Sequence, residues 1–512
     1  MVTINCKRLS AFFLFSTLLL LLSSCLNKKV DQNKKPNILI IYVDDLGYGD
    51  VSCYGAKAVQ TPNVDALARE GVKFTDAHCS ASTCTPSRYA ILTGSYAFRN
   101  NAAILPGDAP LLISTKNTTL PAMLKKAGYT TGVIGKWHLG LGDGKPDWNN
   151  EIKPGPLEIG FDYSFLIPAT PDRVPTVFVE NHKVLRLDTS DPIVINYDKR
   201  VGEEPIGLEH PEMLKMKADS QHSGTIVNGI SRIGFMQGGH QAYWKDEDFA
   251  TVLNDKATEF ISQAKDKPFF LYYSLPSIHV PRAPNAKFVG ATKMGPRGDD
   301  IVQMDWMTGE VMNTLKKLGI EKNTLVIFTS DNGPVLDDGY ADKAVELLGD
   351  HQPEGIYKGG KYSAYEGGTR VPTIVYWPGQ TQNGESNAMI SQVDFYASFA
   401  SLIGEKVDPK SGAFDSENIL SVLLGKSQEG RKEMVEEAYT MSLRSGKWKY
   451  IAPFTGKTPD WLKNKVVPTG LQSTPQLYNL EEDPKENHNL ADQYPDIVNK
   501  MAASLRHIME SD

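Results

Sequence analysis

The stretch that most constrains this chain is Asn37–Val43, Asn-Ile-Leu-Ile-Ile-Tyr-Val, a continuous apolar, β-branched run that stops at two carboxylates, Asp44 and Asp45. A strand with one wet face alternates apolar and polar residues. An unbroken run is the pattern of a strand buried on both faces of a parallel sheet. Two more runs share this form: Phe269–Ser274 leads toward His279, and 325–329 leads into Asp331-Asn332-Gly333. A fourth, 129–134, ends at Gly135-Lys136-Trp137-His138. Helix-like segments lie between them at 64–70, 120–127, 249–263 and 301–318. Strands alternating with helices predict an α/β fold, with a large, mostly parallel sheet sandwiched by helices. In such sheets ligands gather beyond the carboxyl ends of strands, so the polar groups ending these runs are expected to meet in one crevice.

A chain of 512 residues, 41% hydrophobic and 22% charged, has ample material for a core, which excludes disordered, collagen-like and fibrous classes. After about residue 425 the texture changes. Residues 445–451 alternate in strand fashion and 494–509 read as a closing helix. We therefore expect a catalytic domain over 36–424 and a smaller C-terminal subdomain of antiparallel sheet plus helix over 425–512. The Gly/Pro-interrupted stretch 141–240 reads as loop insertion carrying substrate contacts. A net charge of −7 gives no electrostatic footprint for a nucleic-acid partner, so none is expected.

Lys7 and Arg8 precede an apolar run at 11–22, short of the ~20 residues a membrane span needs. Residues 1–24 fit a signal peptide, with an uncleaved anchor helix as the alternative. The run ends in Leu22-Ser23-Ser24-Cys25, which resembles a bacterial lipobox. That resemblance implies lipidation of Cys25, a polar tether over 25–35, and an exported protein held in the bacterial envelope by its N-terminal lipid. Five cysteines do not make a disulfide scaffold. With Cys6 removed and Cys25 lipidated, Cys53, Cys79 and Cys84 remain, an odd number that leaves at least one unpaired.

Asp44, Asp45, Asp331 and Asn332 offer three carboxylates and an amide oxygen, a donor set for a hard divalent cation, with Ca²⁺ favoured over Mg²⁺. Either pair alone could equally cap a helix or turn. In Cys84-Thr85-Pro86-Ser87-Arg88 the thiol could be an activated thiolate beside Arg88, or the two could simply share one helix face.

This pentapeptide resembles the Cys-x-Pro-Ser-Arg signature of type I sulfatases, members of the alkaline phosphatase superfamily, in which the Cys is oxidised to formylglycine after synthesis. Thr61-Pro62-Asn63-Val64-Asp65, Gly135-Lys136-Trp137-His138-Leu139-Gly140, His279-Val280-Pro281, Ser330-Asp331-Asn332-Gly333-Pro334, and Gly360-Lys361 leading to Glu366-Gly367-Gly368 are similar to the family's other blocks, in order. The tail, Leu477-Tyr478-Asn479-Leu480 with Asp483-Pro484, matches as well.

The resemblance implies a hydrolase of sulfate esters that a sulfatase-maturing enzyme modifies at Cys84. It makes Asp44, Asp45, Asp331, Asn332 and residue 84 the Ca²⁺ ligands. Arg88 would support formylglycine, Lys136 and Lys361 would neutralise sulfate oxygens, His138 would act as base, and His279 would protonate the departing alkoxide. Thr170 is the hydroxyl that corresponds to a sulfate contact in relatives. The loops holding Asp172-Arg173, residues 222–239 and Asp350-His351 look like those of carbohydrate sulfatases from glycan-degrading bacteria. Paired carboxylate and cation suit sugar hydroxyls, or else are local ion pairs. The expectation is an exo-acting sulfatase for 6-O-sulfate on galactose or N-acetylgalactosamine. The alternatives are another sugar or position, a phosphate or phosphonate monoester hydrolase, and a non-catalytic sugar-binding lipoprotein.

Overall fold

Successive side chains of a strand point to opposite faces, and here both faces of the first strand are covered. From β1 (Asn37–Val43), Ile38, Ile40 and Tyr42 pack with Ile91, Leu120, Leu124 and Phe399, while Leu39, Ile41 and Val43 pack with Leu253, Ile261, Ile301 and Met304. Each such aliphatic side chain contributes about 1.5–3 kcal/mol on burial. The unbroken run thus makes β1 the centre of a sandwich. The computed structural model describes residues 35–407 and 412–511, apart from the side chains of 463 and 464. The expected leader, Cys25 and the tether up to residue 34 lie outside the described residues.

Around β1 are β2 (Thr130–Lys136), β3 (Tyr163–Ile167), β4 (Phe269–Ser274) and β5 (Thr324–Ser330). Their spatial order is β5-β1-β4-β2-β3, all parallel, at the heart of a ten-stranded sheet. Thr373–Tyr376 flanks β5 in antiparallel fashion, and short strands finish both edges. The four runs read from the sequence are β1, β2, β4 and β5. β3, inside the supposed loop insertion, extends the parallel set. The rest of 141–240 is short hairpins and irregular chain, as its Gly/Pro content predicts.

Helices α1 (Pro62–Glu70), α2 (Cys84–Thr93), α3 (Phe249–Ala264) and α4 (Gly295–Lys317) belong to the layers covering the sheet. α4 starts at Gly295, ahead of the 301–318 predicted from its apolar spacing. Its first turns bury charge instead: Arg297 lies 2.6 Å from Asp50, and Asp299 accepts from the backbone of Gly290 and Thr292. Such turns carry no hydrophobic period to read. All ten residues of α2 are buried, so the segment carrying Cys84 and Arg88 is part of the core.

The C-terminal part forms a separate four-stranded antiparallel sheet, β6 (Glu433–Glu437), β7 (Met441–Ser445), β8 (Trp448–Ile451) and β9 (Gln476–Asn479), with α5 (Pro495–Glu510). The single strand expected over 445–451 is instead a hairpin end: Gly446, at φ +53°, turns the chain between β7 and β8. Met501 and Leu505 of α5 pack on Leu443, Tyr450 and Leu477. Among the described residues no helix is long and apolar enough to cross a membrane.

The small sheet is fixed to the large one through buried Glu366. Its carboxylate lies 2.8 Å from Arg370, 2.8 Å from Arg444 of β7 and 3.1 Å from Lys449 of β8. Burial pushes this carboxyl up, but the three cations outweigh burial and hold it well below its ordinary range. Removing one member of a buried ion cluster leaves charge without compensation. Glu366→Ala should therefore destabilise the fold by about 3–5 kcal/mol in urea denaturation, and an unchanged midpoint would contradict this role.

Candidate active site

Register brings the site together. Tyr42 pairs with both Ser274 and Thr329, and Ser274 pairs with Gly135, so β1, β5, β4 and β2 end side by side. Three of those ends carry the polar groups: Asp44-Asp45 at β1, Asp331-Asn332 at β5, and Lys136 with His138 at β2. Gly135 makes the approach of β2 possible: it sits at φ +110°, and a Cβ there would lie 1.8 Å from the Ser274 carbonyl oxygen. Lys136, the last residue of β2, is thereby set against the carboxylates.

Asp44, Asp45 and Asp331 each present an oxygen within 4.8 Å of the others, all fully buried. Three cations compensate them. Lys136 Nζ lies 2.7 Å from Asp44, and Lys361 Nζ is 2.9 Å from Asp45 and 3.0 Å from Asp338. Arg88 Nη2 is 2.7 Å from Asp331. Burial pushes Asp44 well above its usual range, and the adjacent Asp331 and Asp45 add to this against Lys136. At Asp45, Lys361 and then His279 outweigh burial and lower the value. Asn332 donates Nδ2 to Asp45 at 2.7 Å, while its Oδ1 is buried with no hydrogen-bond partner. An orphaned amide oxygen beside three crowded carboxylates is a set of hard oxygen donors, and it fits a divalent cation.

Cys84 opens α2 and Arg88 comes one turn later, on the same face. Arg88 is not the partner of the thiol, because its Nε and Nη2 hold Asp331 and its Nη1 donates to the Lys136 carbonyl. Burial pushes the Cys84 thiol up to about 11, with Lys136 and Lys361 only partly offsetting it. Burial thus disfavours the thiolate of an unmodified Cys84.

His138 and His279 face the same cleft and have opposite tautomers. His138 Nε2 donates to the Leu105 carbonyl at 3.0 Å, which leaves Nδ1 as a lone-pair acceptor, buried and without a partner. His279 Nδ1 donates to the Val280 carbonyl at 2.6 Å, so Nε2 is the free end, 3.8 Å from Asp45. Burial, then the field of Lys136, pushes His138 far down, and burial with Lys361 lowers His279 to about 4.

Above this floor is a cleft of about 520 Å³, within the ~300–1,000 Å³ of small-molecule sites. Cys84, His138, His279 and Lys361 line its base; Asp172, Arg173 and His222 line one side. Arg173 lies 3.0 Å from Asp172. His222 stands between Asp172 at 3.4 Å and Asp219 at 2.7 Å. Those carboxylates outweigh burial and raise His222, while Arg173, His279 and His222 hold Asp172 well below its ordinary range against burial.

Three expected contacts are placed elsewhere. Thr170 does not line the cleft; its hydroxyl accepts from Arg173 at 2.5 Å and so orients that guanidinium. His351 is buried on Asp50 at 2.8 Å, in the pair that Asp50 makes with Arg297, and Asp350 is exposed. Neither reaches the cleft, because their loop turns beneath Gly47 and Gly49, where a Cβ would strike Pro353 and Gln352. Conversely, Asp338, Tyr197, Glu437, Tyr439 and Trp461 line it, none of them among the expected contacts; Trp461 is one of three tryptophans, with Trp148 and Trp244, whose ring could stack on a sugar but which carried no assigned role. For Asp338 the signal was the second carboxylate pair after Gly333-Pro334, Asp337-Asp338.

The family described as Sulfatase matches residues 36–405. The chain is similar to an N-acetylgalactosamine-6-O-sulfatase of Bacteroides thetaiotaomicron, with 49% identity over 95% of this chain and 96% of that protein. It is also similar to human arylsulfatase H, with 31% identity over 93% and 91%. A solved structure concerned with metabolism of multiple glycosaminoglycans by Bacteroides thetaiotaomicron superposes with a TM-score of 0.91 at 48% identity, covering 94% of this chain and all of the other.

Glu437 yields a pH prediction. Burial pushes its carboxyl up to about 8, only partly opposed by the Phe98 N–H at 3.0 Å. A raised folded value means that stability is full below the ordinary carboxyl range and is lost progressively as pH rises through 8. Glu437→Gln should remove that slope, so its stability relative to wild type rises from pH ~5 to ~8 and then levels off. Parallel urea midpoints across that window would contradict it.

Proposed function

The chain belongs to the sulfatase family and is a sulfuric ester hydrolase, and on that footing we propose that it removes 6-O-sulfate from terminal galacto-configured sugars, N-acetylgalactosamine or galactose. The supporting likeness is to a protein named for that sugar and position, over nearly the whole length of both. The observation that carries the chemistry is the convergence of Cys84, His138, His279 and Lys361 at the base of one cleft whose side presents Asp172, Arg173 and His222.

Formylglycine made from Cys84 by a maturing enzyme would supply a hydrated aldehyde with two hydroxyls, one to take the sulfuryl group and one to let it go, polarised by Ca²⁺ held on Asp44, Asp45, Asp331 and Asn332. Lys136 and Lys361 are already fixed by carboxylates and would neutralise sulfate oxygens as charge develops; of the two, Lys361 lines the cleft, while Lys136 is fully buried on Asp44. Burial and the field of Lys361 disfavour the cation of His279. An anionic ester between the lysines and the ring opposes that field and favours a proton on Nε2, where the leaving alkoxide collects it. His138 offers its bare Nδ1 as acceptor for the proton lost when sulfate departs. Asp172 accepts from sugar hydroxyls, while Arg173 and His222 donate to them. Export, lipidation at Cys25 and anchorage in the bacterial envelope complete the proposal, resting on the first 25 residues.

Matured protein offered galactose and N-acetylgalactosamine sulfated at position 3, 4 or 6 should release sulfate from the 6-sulfated sugars, and release from the 4-sulfated sugars alone would overturn the assignment. Cys84→Ala should abolish turnover, and His279→Ala should lower kcat by about 10²–10⁴-fold, both with native circular dichroism. Ca²⁺ at a hundredfold excess over its Kd should stabilise the fold by about 2.7 kcal/mol. Chelation without any shift in Tm would remove the metal from the scheme.

A further inference from the structure

Exposure sorts the cleft by depth. His279, Lys361 and Asp172 are 4%, 1% and 3% exposed, whereas Tyr439, Pro459 and Trp461 are only half-buried and stand at the mouth. The deep group is polar and suffices for one sulfated sugar. The mouth is different in kind: aromatic rings, with the Glu437 carboxyl and the exposed Gln221 amide beside them.

This outer wall is built to stay in place. Trp461 packs edge-on against Tyr362, with ring centroids 5.0 Å apart, and against Tyr439 at 6.4 Å. Next to it, Leu462 is buried with Val335 and Tyr362. Lys465 then reaches Asp338 at 3.3 Å and Asp219 at 3.9 Å. Asp338 is the carboxylate that also holds Lys361, and Asp219 the one that holds His222. The strap from Pro459 to Lys465 is thus anchored to the same two carboxylates that set the sulfate-facing lysine and the sugar-facing histidine.

We propose that Trp461 and Tyr439, with Glu437 and Gln221, form a binding site for a second sugar ring, the unit joined through the anomeric carbon of the sulfated one. The C–H face of a pyranose lies on an indole or phenol ring, and its hydroxyls need donors and acceptors at the ring edge, which the carboxyl and amide provide. Its position at the mouth comes from the proposed function, on which this inference rests: a terminal unit with its sulfate at the base leaves the rest of the glycan running outward. The enzyme then prefers a short oligosaccharide to a free sulfated monosaccharide.

The test compares kcat/KM for each sulfated monosaccharide in the 3-, 4- and 6-series with that for the same unit glycosidically linked to a second pyranose. For whichever isomer is hydrolysed, the disaccharide should be favoured about tenfold, the equivalent of 1.4 kcal/mol. Trp461→Ala should bring the ratio close to one, mainly by raising KM for the disaccharide, while Trp461→Phe keeps most of it. Circular dichroism and Tm check that each variant is folded; if Trp461→Ala is not, Tyr439→Ala is read by the same ratio. A 4-sulfated disaccharide preferred in this way would overturn the positional assignment and leave the second site standing. Equal rates for monosaccharide and disaccharide in the wild type would overturn the second site, as would equal losses on both substrates in Trp461→Ala.

Discussion

Buried negative charge at the carboxyl ends of β1 and β5 is the constraint around which the rest is organised. Asp44, Asp45 and Asp331 lie within reach of one another with no exposure to water, an arrangement that mutual repulsion and desolvation would forbid without compensation. Arg88, Lys136 and Lys361 supply it from three separate segments, the buried helix α2, the end of β2 and the chain after β5. Each cation is therefore fixed before any ligand arrives. The buried Oδ1 of Asn332, which has no hydrogen-bond partner, suits the hard oxygen donor set of a divalent cation.

The same architecture explains why these groups can act together. A parallel sheet with aligned strand ends puts residues distant in the chain at one edge, and helices on both faces keep water out. Exclusion of water lifts the Cys84 thiol and lowers both histidines. A cleft like this suits a sulfatase, because its fixed cations match an anionic ester.

The C-terminal sheet is more than an appendage. Its strands reach Glu366 with two buried cations, and the end of β6 and the strap beyond β8 contribute part of the cleft wall. The large sheet sets the reactive groups, and the small one contributes to the mouth.

Much of this was legible in the sequence. Four central strands could be read because burial on both faces leaves an unbroken apolar run, and the meeting of Asp44, Asp45, Cys84, Arg88, Lys136, His138, His279, Asp331, Asn332 and Lys361 in one region could be anticipated because they sit in short blocks tied to strand or helix ends. The first turns of α4 and the hairpin at Gly446 were missed, since buried ion pairs carry no period and one glycine decides between a strand and a turn. Thr170, Asp350 and His351 were misplaced for a related reason: pairs suited to a sugar are equally suited to Arg173 or Asp50. Sequence determined which residues end each strand, because local pattern and burial are one signal there. Only the tertiary structure decided which loops reach the cleft, because loop paths depend on long-range partners such as Asp338 with Lys465 and Asp172 with His222, and no local spacing encodes them.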